Sequence, residues 1–173
     1  MAITPEELPG LLQAIYDRVQ ASAVPVAQAV GNAYKEHLRG VTLRESGAHS
    51  APTHTPSVPG RPPAFMTGDL AGSVLQVPAH PLGPGVARTS VAPHTDYAAT
   101  IQWGDVHFGE PGKGMWLWLH RPYTPLQVVR RNLVRNVVHI PSYPYMNVAV
   151  DEMVVDGDLE RAGEEAFMAA VWG

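Results

Sequence analysis

Between Arg44 and Pro63 the chain reads RESGAHSAPTHTPSVPGRPP, twenty residues with five prolines and one large apolar side chain, Val58. Such a stretch cannot bury enough surface to offset the entropy of ordering itself. It reads as a flexible arm, mobile in the free chain and ordered on a partner. Any core must therefore be assembled from the segments on either side of it. With 173 residues, 45% of them apolar, there is material for one such core. The expectation is a single domain over 1–173 with the arm at 44–63 inside it. Across the whole chain, 17 prolines and 16 glycines imply further long irregular connections.

Upstream of the arm, Thr4 and Pro5 followed by Glu6 and Glu7 make a helix start. Leu8, Leu11, Leu12, Ile15 and Val19 then recur at helical spacing. Pro25 should kink or break the helix, after which Val26, Val30, Tyr34, His37 and Leu38 resume the period as far as Gly40. The reading is a long N-terminal helix in two pieces, about 5–22 and 26–39, with VTL at 41–43 opening a strand.

Immediately after the arm, RPPAFMTGDLAGSV reads as a loop-to-helix-to-strand joint. Thr67 is placed to cap, Asp69 sits in the first turn where the helix dipole favours negative charge, and Leu70 and Val74 share a face. Gly72 and Val74 limit this helix to about two turns. SVLQV and VARTSVA then read as strands joined by PAHPLGPG, DYAATIQWG as a further strand closed by Gly104, and DVHFGEPGKG as a hairpin turn. MWLWLH is apolar on both faces, with Trp116 and Trp118 on one and Leu117 and Leu119 on the other. A strand of that kind is covered twice by its own fold or once by another subunit. PLQVVRRNLVRNVVHI alternates poorly for a strand and reads as a helix beginning near Pro125, with a strand as the alternative. Two C-terminal helices follow, around 145–154 and from Asp158 to about Val171, the second with Leu159, Ala162, Ala166 and Phe167 on its apolar side. The fold class expected is α+β: helices at both ends, a twisted and mostly antiparallel sheet, and a long loop.

Several function classes lose ground on composition. The formal charge of −4 gives no global basic field for nucleic acid. No apolar run approaches the roughly 20 residues that span a bilayer, and MAITPEELPG lacks the pattern of a secretory signal, so the expectation is a protein used without export and away from membranes. The absence of cysteine removes disulfides, thiolate catalysis and cysteine zinc sites. His49 and His54 lie five apart in the arm, with no His-x-His or His-Glu-x-x-His frame, and read as solvated. Asp151, Glu152, Asp156 and Asp158 lack the ligand order of a calcium loop. Ser73 and Ser90 lack a nucleophile frame, and GEPGKG lacks the Ser or Thr and the helix of a phosphate loop. No catalytic, cofactor or metal site is expected. Arg130, Arg131 and Arg135 form the only local basic cluster. They read as a solvated helix face, and Trp116 and Trp118 as core; the alternative for both is a subunit interface, where carboxylates such as Asp156 or Glu160 would pair with the arginines.

Taken in order, the pieces resemble a known family. Pro63, Thr67, Gly68, Leu70 and Ser73 match Pro-x-x-x-Thr-Gly-x-Leu-x-x-Ser; Tyr97, Ala98 and Gly104 match Tyr-Ala-x-x-x-x-x-Gly; Pro144, Tyr145 and Met146 stand where an aromatic-aliphatic pair precedes a terminal helix. This order resembles the head-to-tail joining and tail-completion proteins of the neck of long-tailed double-stranded DNA phages, the family related to gene product ten of lambdoid-type phages. The gapped match covers roughly residues 26 to 171. It departs at Asp69, where a basic residue is common, and in the length of 105–142. The resemblance implies a structural virion protein without catalysis. It would be made in the host cytoplasm and built into a closed homo-oligomeric ring of about six subunits, a hexamer, against other neck, portal-side and tail-tube proteins. DNA would pass through without specific binding. A tail terminator or a head-closure stopper ring is the alternative within that class. Outside it stand a small carbohydrate- or peptide-binding module built around Trp116 and Trp118 and, more distantly, a metal hydrolase using His49 and His54.

Overall fold

The computed structural model describes residues 5–43, 68–108, 137–140 and 142–173, which form an α+β fold. Helix α1 spans Leu8–Ala21 and α2 spans Ala23–His37. Residues 5–7 form a turn, so the first helix starts three residues later than its Pro5 signal suggests, with Pro9 in its first turn instead. Pro25 does interrupt the rod, but upstream of itself. It sits inside the first turn of α2, and its missing N–H would have met the carbonyl of Ala21, the last residue of α1. Ser22 bridges the break, donating its hydroxyl to Val19 O at 2.7 Å.

The strand expected at 41–43 is not formed, nor does Gly40 end the helix. Residues Leu38–Thr42 make a π-helical turn, closed by a bond from the Leu43 amide to Leu38 O, and Leu38, Thr42 and Leu43 are all buried. The wider turn brings these three side chains to one side, and that burial outweighs the β-branched propensity of Val41 and Thr42.

Helix α3, Asp69–Gly72, is one turn rather than two. Its N-cap position is held by Gly68 at φ 82°, a left-handed geometry that glycine adopts without strain, and Thr67, expected to cap, lies outside the described residues. Strand β1 (Val74–Gly83) then pairs antiparallel with β2 (Val86–Pro93), turning at Pro84 and at Gly85, whose φ is 67°. The strands absorb the segment expected to be a long turn. Pro78 is accommodated by a register shift between Val77 and His80, and the amide of Ala79 beyond it donates to Gln28 Oε1 of α2 at 2.8 Å. One face of this hairpin lies on α2. The approach is close enough that a Cβ on Gly31 would collide with Gln76 and Thr89, whose side chains bond each other at 3.2 Å.

Residues 98–103 overturn another strand expectation. Helix α4, Ala98–Trp103, buries Ala98 and Gln102 and half-buries Ile101, a three-to-four spacing that a strand would scatter over both faces. Gly104, at φ 74°, closes it. Strand β3 (Asp105–Phe108) pairs antiparallel with β4 (Val137–Ile140), so 105–108 is strand rather than hairpin turn, and VVHI is strand rather than the end of a helix. Both ladders among the described residues are two-stranded and antiparallel. Helices α5 (Tyr145–Val155) and α6 (Asp158–Trp172) fall where the periodicity puts them, joined through Gly157 in a left-handed conformation. Leu159, Ala162, Ala166 and Phe167 are half-buried along α6. Alongside them Gly163 meets Val26 and Val30 of α2. The layers are thus hairpin, α2 and α6. The main core of Leu38, Leu43, Ala71, Val74, Tyr145 and Ala149 sits at the C-terminal end of α2.

Candidate functional site

Three places on the molecule draw attention: a buried knot, a polar cavity and a set of uncovered apolar faces. The knot collects the described residues of the motifs picked out in the sequence. Tyr145, 1% exposed, donates its hydroxyl to Ala98 O at 3.1 Å. Gln102, one turn further along α4, accepts from the Met146 amide and donates to Asn147 Oδ1, both at 3.1 Å. Tyr34 of α2 donates to Met146 O at 3.1 Å. Leu70 packs on the same core, while Ser73 donates to Leu70 O at 2.9 Å and ends α3. Gly68 supplies the left-handed turn that enters α3, Gly104 leaves α4 at positive φ, and Pro144 sits at the N-cap of α5. Tyr97 alone stays exposed at the rim. Burial pushes the Tyr34 hydroxyl from the ordinary 10.0 up to about 12. Tyr145 rises likewise to about 12, through burial first and then its neighbours Tyr34 and Tyr97.

These groups hold one another rather than an outside ligand. Pro63, Thr67, Trp116, Trp118, Arg130, Arg131 and Arg135 lie outside the described residues, as do the arm at 44–63 and His49 and His54. Asp156 and Glu160, named as acidic partners for the arginines, are exposed.

The cavity, about 380 Å³, opens between α2, α5 and α6 beside Glu36, His37, Asp158, Arg161 and Glu165. Arg161 is paired with Asp158. At its back, His37 Nε2 lies 2.9 Å from Glu152 Oε2, and the same oxygen accepts from Thr42 Oγ1 at 2.8 Å. Histidine and threonine converge on one carboxylate oxygen, so the group that faces the Thr42 hydroxyl is the Glu152 carboxylate and not His37. The cluster is a clasp from the π turn to α5. Among the described residues, no group of three His, Asp or Glu is placed to hold a metal, and no helix is long and apolar enough to cross a membrane.

Among the described residues, several apolar faces stand exposed. On α1, Leu8, Leu11, Leu12, Tyr16 and Val19 are exposed, and on the outward face of the hairpin so are Leu75, Val77, Leu82 and Val86. Val154 and Val155 on α5 and Met168 and Trp172 on α6 add to them. The stripe on α1 was visible in the sequence. The hairpin face was visible only as apolar residues at successive positions, Val74 inward and Leu75 outward, a pattern that marks a strand with two covers. Comparison with protein-family models, with curated proteins and with solved structures finds no match for this chain.

Proposed function

We propose that this chain is a structural component of a phage neck, a tail-completion protein that joins tail to head as a homo-oligomeric ring and does no catalysis. The observation that carries the reading is the knot. Three sequence motifs resemble those of the head-to-tail joining family: 97–104 and 144–146 hydrogen-bond each other through Tyr145 and Met146, and the first packs Leu70 on the core that holds Tyr145 while its own Ser73–Leu70 bond closes it. Such motifs belong to a scaffold rather than to an active site. The apolar residues exposed along α1 and on the hairpin support the assembly half of the reading, because large exposed apolar patches mark interaction surfaces. The charge of −4 suits a channel wall: each Lys or Arg paired with a phosphate would add a favourable counterion-release term and hold the DNA. An acidic or neutral lumen lets it slide.

The test is removal of the gene from a phage that encodes it. Separate filled heads and finished tails, rejoined by the purified protein, are the expected result. Overlong tails would assign it to the terminator position, and heads that leak DNA to the stopper position. Infectious, fully joined particles without it would overturn the reading.

A further inference from the structure

We infer that the uncovered face of α1 docks on the outward face of the β1–β2 hairpin of a second copy of this chain, so that copies associate head to tail. The two faces are each incomplete in a complementary way. Every residue from Pro5 to Ala14 is exposed, and α6 reaches α1 only near its far end, where Arg18 Nη1 donates to Val171 O at 3.2 Å. A helix of 14 residues is marginal in water unless its apolar stripe is covered. Leu12 is nevertheless 57% exposed. Among the described residues the hairpin is covered by α2 on one side only, and an isolated two-stranded ribbon is at best marginally stable. By strand alternation its outward face presents Leu75, Val77, Val86 and Arg88, with His80 opposite Arg88 in the ladder.

The shapes and charges agree. At about 1.5 Å per residue the 14 residues of α1 run about 21 Å. At about 3.4 Å per residue the 8 residues of β2 run about 27 Å, so the helix fits along the ribbon. The segment 5–21 carries Glu6, Glu7 and Asp17 against the single Arg18, whereas 74–93 carries Arg88 and His80 and no carboxylate. An acidic apolar helix thus meets a basic apolar ribbon. A chain cannot make this contact with itself: its hairpin faces its own α2 with the other side and rests its tip, Gly85, against Gln20, at the end where α1 joins α2. Because the two faces differ, the contact is heterologous, and repeating it closes a ring or extends a filament. The inference names surfaces for the ring proposed above but does not rest on the virion reading.

The test uses the full chain with Leu12→Asp in α1 or Val77→Asp in the hairpin, sized by sedimentation, with circular dichroism and melting temperature to check that each variant folds. The wild type is expected to self-associate and each variant alone to do so at least tenfold more weakly. An equimolar mixture of the two should form a 1:1 dimer, since it retains one intact pair of faces. A monomeric wild type, a variant that associates as the wild type does, or a mixture that stays monomeric would overturn the inference. Should either aspartate unfold the chain, E6K and R88E take their place: each alone weakens association, and together they restore it. Failure here leaves the gene-removal result untouched, and intact particles without the gene leave this result untouched.

Discussion

The knot around Tyr145 and the helix α1 are both built on apolar side chains, yet one is sealed and the other bare. In the knot, α2, the π turn, α3, β1, α4 and α5 each contribute only one or a few side chains, and the polar atoms of Tyr34, Gln102 and Tyr145 find partners on another segment. In α1 the apolar residues repeat at helical spacing, yet none of them is buried. Periodicity marks which face of an element seeks cover; what supplies the cover is decided by the rest of the molecule, or by another one.

The comparison would break most visibly at Tyr145. Tyr145→Ala removes the largest fully buried side chain and is expected to cost about 3–5 kcal/mol in urea unfolding. A loss below about 1 kcal/mol would mean that the knot is not the keystone described. A smaller effect sharpens the contrast through pH. An unfolded chain releases the Tyr34 and Tyr145 protons near 10.0, while the folded one keeps them to about 12. Their contribution is therefore fully present below about 10 and is lost as pH rises through about 12. The melting temperature should fall over that window, and the double change to Phe at 34 and 145 should flatten the fall; an unchanged slope would count against burial as its cause. The smallest effect is expected at Leu12→Ala. Measured in dilute monomer, it should change stability by no more than about 0.5 kcal/mol, since the side chain touches little of its own chain. A loss like that of a core leucine would show α1 to be covered from within.

What could be read from the sequence follows the same division. Helices α2, α5 and α6 were legible because apolar residues recur at three and four, with Pro144 and Gly157 marking where α5 and α6 begin. Strands β1 and β2 were legible from alternation, though the register shift that fits Pro78 was not, since it depends on Gln28 fifty-one residues away. Residues 98–103 misled because Tyr97, Thr100, Ile101 and Trp103 carry strand propensity; the bonds from Tyr145 to Ala98 and from Met146 to Gln102 belong to the helical form and come from a segment more than forty residues on. VVHI misled in the opposite direction, its β-branched residues being obscured by the helix-like run before it. For the candidate site, Gly68, Leu70, Ser73, Ala98 and Tyr145 were singled out from order and spacing, but that they converge was not visible. The clasp of His37, Thr42 and Glu152 carried no local signal, because its carboxylate is 110 residues from the threonine.

The π turn at Leu38–Thr42 gives α2 a property that its length alone does not convey. A π turn amounts to one residue inserted into an α-helix, and one residue is about 100° of rotation. Along its first part α2 keeps one phase, facing the hairpin on one side and α6 on the other; past His37 the phase is reset, and Leu38, Thr42 and Leu43 address α3 and α5. A single rod thus serves two packing layers that are out of step with each other. Length changes within those five residues would be felt as a twist between the layers rather than as a longer or shorter helix. Natural variation there should accordingly preserve the count of residues more strictly than their identity.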